Sequence, residues 1–84
     1  MKTEFNENKL FQTSDLILAT TLYALGFSID HLNKENPTRV VFNFVKSDEL
    51  DSTVHDFWAD LIKINPKTFA SCQKDLKSRI YSKE

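Results

Sequence analysis

The chain has 84 residues, 40% of them apolar, and a net charge of −1, which allows one domain with a thin core and no more. Its single glycine and 2 prolines exclude a collagen-like or low-complexity chain, and the lone cysteine, Cys72, excludes an intramolecular disulfide. No apolar run nears the roughly 20 residues that a membrane span needs, and the opening MKTEFNENK has no secretory pattern, so a reducing, cytoplasmic setting is expected.

Residues 1–8 are polar apart from Phe5 and read as a flexible arm, leaving 9–82 as a single domain. Lys9 to Gln12 suits a short strand. Thr13 or Ser14 then offers a hydroxyl cap for a first helix, with Asp15 in its first turn, where the helix dipole favours an acid. Leu18, Leu22 and Leu25 recur at helical spacing, and Gly26 follows as the residue able to take positive φ at the helix end. Thr20 and Thr21 are poor helix formers, so packing must hold this helix.

Phe27 to Leu32 alternates as a strand, and Asn33 to Thr38, with Asn36 before Pro37, supplies turn chemistry. Arg39 to Val45 is the strongest strand, with Val40, Phe42 and Phe44 on one face and Val41, Asn43 and Val45 on the other, and it pairs antiparallel with its predecessor. Ser47 caps a second helix whose first turn holds Asp48 and Glu49. Leu50, Val54, Phe57, Trp58 and Leu61 form its apolar stripe. Ile62-Lys63-Ile64 reads as a short extended link. Asn65-Pro66 opens a third helix, with asparagine as cap and proline where a missing N–H is harmless. Phe69, Cys72, Leu76 and Ile80 are its inner stripe. The expected fold is therefore α+β, a small antiparallel sheet of two or three strands packed against three helices, in the order (β)αββαα.

The residues that carry chemistry elsewhere lack partners here. His31 and His55 have no second metal ligand at a useful spacing, although Asp51 and Asp56 stand near His55; a zinc site needs at least three protein ligands. Cys72 falls on an apolar stripe, which suits a buried thiol, and Ser14 beside Asp15 suits helix capping. With Gly26 the sole glycine there is no phosphate-binding loop. No catalytic residue, cofactor or metal is expected. Phe42 and Phe44 could form a base-stacking platform, but a domain this small needs such rings inside.

Charge is the most suggestive feature. Residues 14–62 sum to −5 and residues 63–84 to +4, so the third helix is a basic segment on an acidic body. Lys67, Lys74, Lys77 and Arg79 are the candidate contact residues, available to a partner or to phosphates. The alternative, and the favoured reading, lays this helix beside the acidic face of the second helix, with Asp51, Asp56 and Asp60 opposing its bases.

The run Phe11-Gln12-Thr13-Ser14-Asp15-Leu16, with Ala19, Leu22 and Gly26 behind it, joins Arg39-Val40-Val41-Phe42-Asn43-Phe44 and Pro66…Phe69…Leu76-Lys77…Ile80-Tyr81 in a pattern covering Leu10 to Tyr81. It resembles a family of small bacterial and phage domains filed as a domain of unknown function. The resemblance implies fold, boundaries and a bacterial, phage or mobile-element source, and no substrate, cofactor or catalytic residue. The expected function is that of a non-enzymatic interaction module that binds a protein partner or a second copy of itself. The alternative is a nucleic-acid-binding domain that uses the third helix.

Overall fold

A computed structural model describes residues 9–82; the arm expected over 1–8 lies outside the described residues. Helix α1, Leu16–Ala24, shows how local chemistry sets its ends. Its cap is Asp15, whose carboxylate accepts from the backbone N–H groups of Ile17 (2.9 Å) and Leu18 (3.1 Å). This corrects the expectation of Thr13 or Ser14. The Thr13 hydroxyl instead accepts from the Asp15 N–H at 3.0 Å, which places the carboxylate one step further along the chain. At the other end Gly26 takes φ 99°, its N–H donates to Tyr23 O, and the Phe27 N–H reaches back to Leu22 O. This is the Schellman closure, and Phe27 and Leu22 both pack in the core, which seals it with an apolar contact.

The sheet has three strands: β1 (Leu10–Thr13), β2 (Ile29–Asn33) and β3 (Val41–Val45). Their order is β1-β3-β2 and both pairings are antiparallel. The most apolar strand is thus central. Phe42 and Phe44 are fully buried on the helix-covered face, where Phe11 and Ile29 flank Phe44, and Thr13 and Leu32 flank Phe42. The base-stacking platform is therefore excluded, because the rings have no open face. On the opposite side Gln12, Asn43 and His31 stand in one cross-strand row. The Gln12 amide donates to Asn43 Oδ1 at 2.7 Å, which satisfies a buried polar side chain in mid-sheet. A register shift between Ile29 and His31 bulges the β2 edge.

Helix α2 spans Asp48–Trp58 and α3 spans Pro66–Tyr81. The Ser47 hydroxyl and the Asn65 side chain cap them as expected, with Pro66 in the first turn of α3. Leu18, Ala19, Leu22, Phe42, Phe44, Leu50 and Leu76 form the buried cluster, so every helix contributes to one core beneath one sheet face. Helix α1 is apolar around most of its circumference because it is the middle of the helical layer, with α2 and α3 each packing on it. The hydroxyls of Thr20 and Thr21, buried in that position, donate to the carbonyls of Leu16 (2.7 Å) and Ile17 (2.8 Å). No helix among the described residues is long and apolar enough to cross a membrane.

Candidate functional site

Helix α3 positions the four candidate basic residues. Asn65 Oδ1 accepts from the N–H groups of Lys67 (2.9 Å) and Thr68 (3.2 Å), which fixes where the helix starts and hence which way each later side chain points. Leu76, Phe69 and Ile80 turn towards the core, Leu76 completely. At the far end the Lys34 ammonium, reaching from the turn after β2, donates to the carbonyls of Arg79 and Ser82. A cation there adds to the bonds that the Ser82 N–H and hydroxyl make to Arg79 O, and it opposes the negative end of the helix dipole.

With those anchors, Lys67, Ala70, Lys74, Lys77 and Tyr81 fall on one outward line, at spacings alternating between three and four residues. A shallow depression of ≈ 460 Å³ runs along it, lined by Ala70, Gln73, Lys74, Lys77, Ser78 and Tyr81. Lys67, Lys74 and Lys77 are exposed, and Tyr81 is 81% exposed. Arg79 departs from the expected set. It is half-buried and lies two residues past Lys77, which on a helix places it on the far flank from the lysines.

The favoured expectation for this charge is overturned. Helix α3 packs along α1 and barely touches α2, so Asp51, Asp56 and Asp60 do not face its lysines. Asp51 pairs instead with Lys46 at 3.0 Å, and the Asp56 carboxylate lies 3.8 Å from His55 Nδ1. Among the described residues no ion pair involves Lys67, Lys74, Lys77 or Arg79. The physical reason is one of magnitudes. An exposed ion pair contributes about 0–1 kcal/mol, whereas burying a residue such as Leu76 contributes about 1.5–3 kcal/mol, so the apolar stripe chooses the neighbour.

The other candidates are scattered. The His55 side chain is 83% exposed on α2. Cys72 is half-buried on α3. The Ser14 hydroxyl accepts from Arg39 Nε at 3.2 Å. Among the described residues no three His, Cys, Asp or Glu side chains gather closely enough to hold a metal ion.

A second surface was not anticipated. Trp58 and Leu61, expected on the core stripe of α2, are each 66% exposed. The helix ends at Trp58, where Asp60 takes φ 65° and the N–H groups of Asp60 and Leu61 reach back to Phe57 O and Asp56 O. That reversal takes Leu61 off the helical stripe. Beside it lies an apolar groove of ≈ 360 Å³, walled by Ile17 and Thr21 of α1, Phe57 of α2, Asp60, Ile62 and Ile64 of the link, and Phe69 of α3. Ile17 is 56% exposed there. Trp58 extends the patch, its ring edge-on to Phe57 with centroids 4.9 Å apart. The alternation Ile62-Lys63-Ile64 was the visible signal, since it directs both isoleucines to one side.

No curated protein and no solved structure matches this chain. The family model described as Domain of unknown function (DUF5659) matches residues 8–82, nearly the whole length and all six elements described above. The chain belongs to that DUF5659 family.

Proposed function

We propose that this domain is a non-enzymatic binding module, working in the cytoplasm, that engages an acidic protein surface through the outer face of α3. The observation that carries this reading is the line Lys67, Lys74, Lys77 and Tyr81, exposed and without an acidic partner among the described residues. A cationic row beside an exposed aromatic ring combines long-range attraction with an anchor that loses little side-chain entropy on binding. The single free thiol suits a reducing compartment.

The test uses immobilised domain and a Lys74→Glu/Lys77→Glu variant, each offered lysate from the producing cell. Wild type should retain a discrete set of acidic proteins at low salt and the variant should lose them. Equal retention by both would defeat the reading.

A nucleic-acid ligand is the second reading, favoured by Tyr81 next to Lys77, since a base can stack on a ring flanked by phosphate-binding lysines. It ranks second because three lysines on a chain of pI ≈ 6.1 are a sparse footprint. Labelled single-stranded and duplex DNA and RNA separate the two. Binding through three lysines should give a slope of log affinity against log salt of about −2 to −3. Absence of retention at low salt would remove the nucleic-acid reading.

A further inference from the structure

The two unexplained surfaces are complementary to each other. One is the outer face of α3, where the Tyr81 ring, 81% exposed, forms a ridge at the rim of the shallow depression that it lines with Lys74 and Lys77. The other is an apolar groove with an acid, Asp60, in its wall and Asp56 one turn earlier on α2. The groove volume of ≈ 360 Å³ lies at the small end of the range that accepts a ligand-sized group, ample for a phenol ring and the stem of a neighbouring lysine. The two features cannot meet within one molecule. Phe69, in the groove wall, and Tyr81 lie on one 16-residue helix, twelve positions apart. At about 1.5 Å per residue that separates them by roughly 18 Å.

We infer that the partner of the α3 ridge is a second copy of this chain: Tyr81 of one molecule enters the Ile17/Phe57/Ile64 groove of the next, with Lys74 and Lys77 facing that molecule's Asp56 and Asp60. This rests on the reading of α3 as a contact face and names its occupant. Because the two surfaces differ, the contact is head-to-tail. Each molecule offers a free ridge at one end and a free groove at the other, so association continues past the dimer into a ring or an open chain. Both halves have a physical warrant. The ring leaves water for an apolar site, and lysines without acidic partners among the described residues gain them, so the contact weakens with salt.

The experiment measures mass in solution by sedimentation from micromolar to millimolar concentration. Wild type should rise beyond the mass of a dimer, to a plateau for a closed ring or continuously for an open chain, and less so at high salt. Tyr81→Ser removes the ridge and keeps the groove; Ile17→Lys fills the groove with a cation and keeps the ridge. Each should bind itself roughly thirtyfold more weakly than wild type, the usual penalty for removing a central anchor. Mixed in equal amounts, they should form a heterodimer and nothing larger, because one intact ridge and one intact groove remain. Circular dichroism confirms folding of both variants, and Ile17→Ser serves as a second groove variant that adds no charge.

A wild-type mass that stays monomeric at millimolar concentration would overturn the inference. So would association that stops at a dimer and is not restored by mixing, since that is a symmetric contact. The broader reading of α3 fails separately: if the domain is monomeric yet still captures acidic proteins through Lys74 and Lys77, only the self-association is wrong.

Discussion

Helices α1 and α2 end with the same backbone device and opposite packing. In each, a residue of positive φ turns the chain, and the two N–H groups beyond the last turn reach back to carbonyls of that turn. At the end of α1 the turning residue is Gly26, and the next side chain, Phe27, packs with Leu22 in the core. At the end of α2 the turning residue is Asp60, and the next side chain, Leu61, faces water. Hydrogen bonding alone closes a helix but does not decide where its apolar follower goes. One end serves the fold; the other leaves Trp58, Leu61 and the adjoining groove at the surface, which is where a contact between molecules has something to gain.

That contrast can be broken by substitution. The largest effect is expected at the sealed end: Leu22→Ala should destabilise by about 2–5 kcal/mol, since the residue is fully buried and the cavity adds to the lost transfer energy. Gly26→Ala comes next. A Cβ there would meet nothing within 4 Å, so its expected loss of about 1–2 kcal/mol is purely that of an L-residue held at φ 99°. Thermal melting reads this as a fall of about 4–8 °C per kcal/mol for a domain of this size. Asp60→Gly should shift the other way, raising stability by about 0.5–1 kcal/mol, because relief at φ 65° exceeds the added freedom of glycine in the unfolded chain. Smallest is Leu61→Ala, within about 0.5 kcal/mol. A loss at Leu61 comparable to that at Leu22 would show the two ends to be packed alike, and the contrast would vanish.

The same contrast explains what the sequence made legible. Ser47, Asn65-Pro66 and Gly26 mark helix ends through chemistry confined to a few neighbouring residues, and all three stand where that chemistry requires. The start of α1 is misplaced by one or two positions because Thr13, Ser14 and Asp15 can all cap, and only the Thr13 hydroxyl bond to the Asp15 N–H selects the last. The end of α2 carries no glycine, so the apolar spacing runs on to Leu61 while the helix stops at Trp58. The choice of α1 over α2 as the neighbour of α3 was not legible either. Opposite charges suggested α2, but burial of Phe69, Leu76 and Ile80 outweighs pairs that water screens. Lys67, Lys74 and Lys77 follow from composition and spacing, whereas the exposure of Tyr81 depends on how α3 is set and the groove on how α1, α2, the link and α3 surround one gap, with Ile62-Lys63-Ile64 its one local signal.

Amide chemical shifts followed by NMR from micromolar to millimolar concentration test the central claim most directly. Head-to-tail contact predicts two sets of concentration-dependent shifts, one at residues 57–64 with Ile17 and the other at residues 74–82. Gln12, Asn43 and His31, on the sheet face away from the helices, should stay unchanged. Shifts centred on that face, or none at either end of α3, would contradict the account.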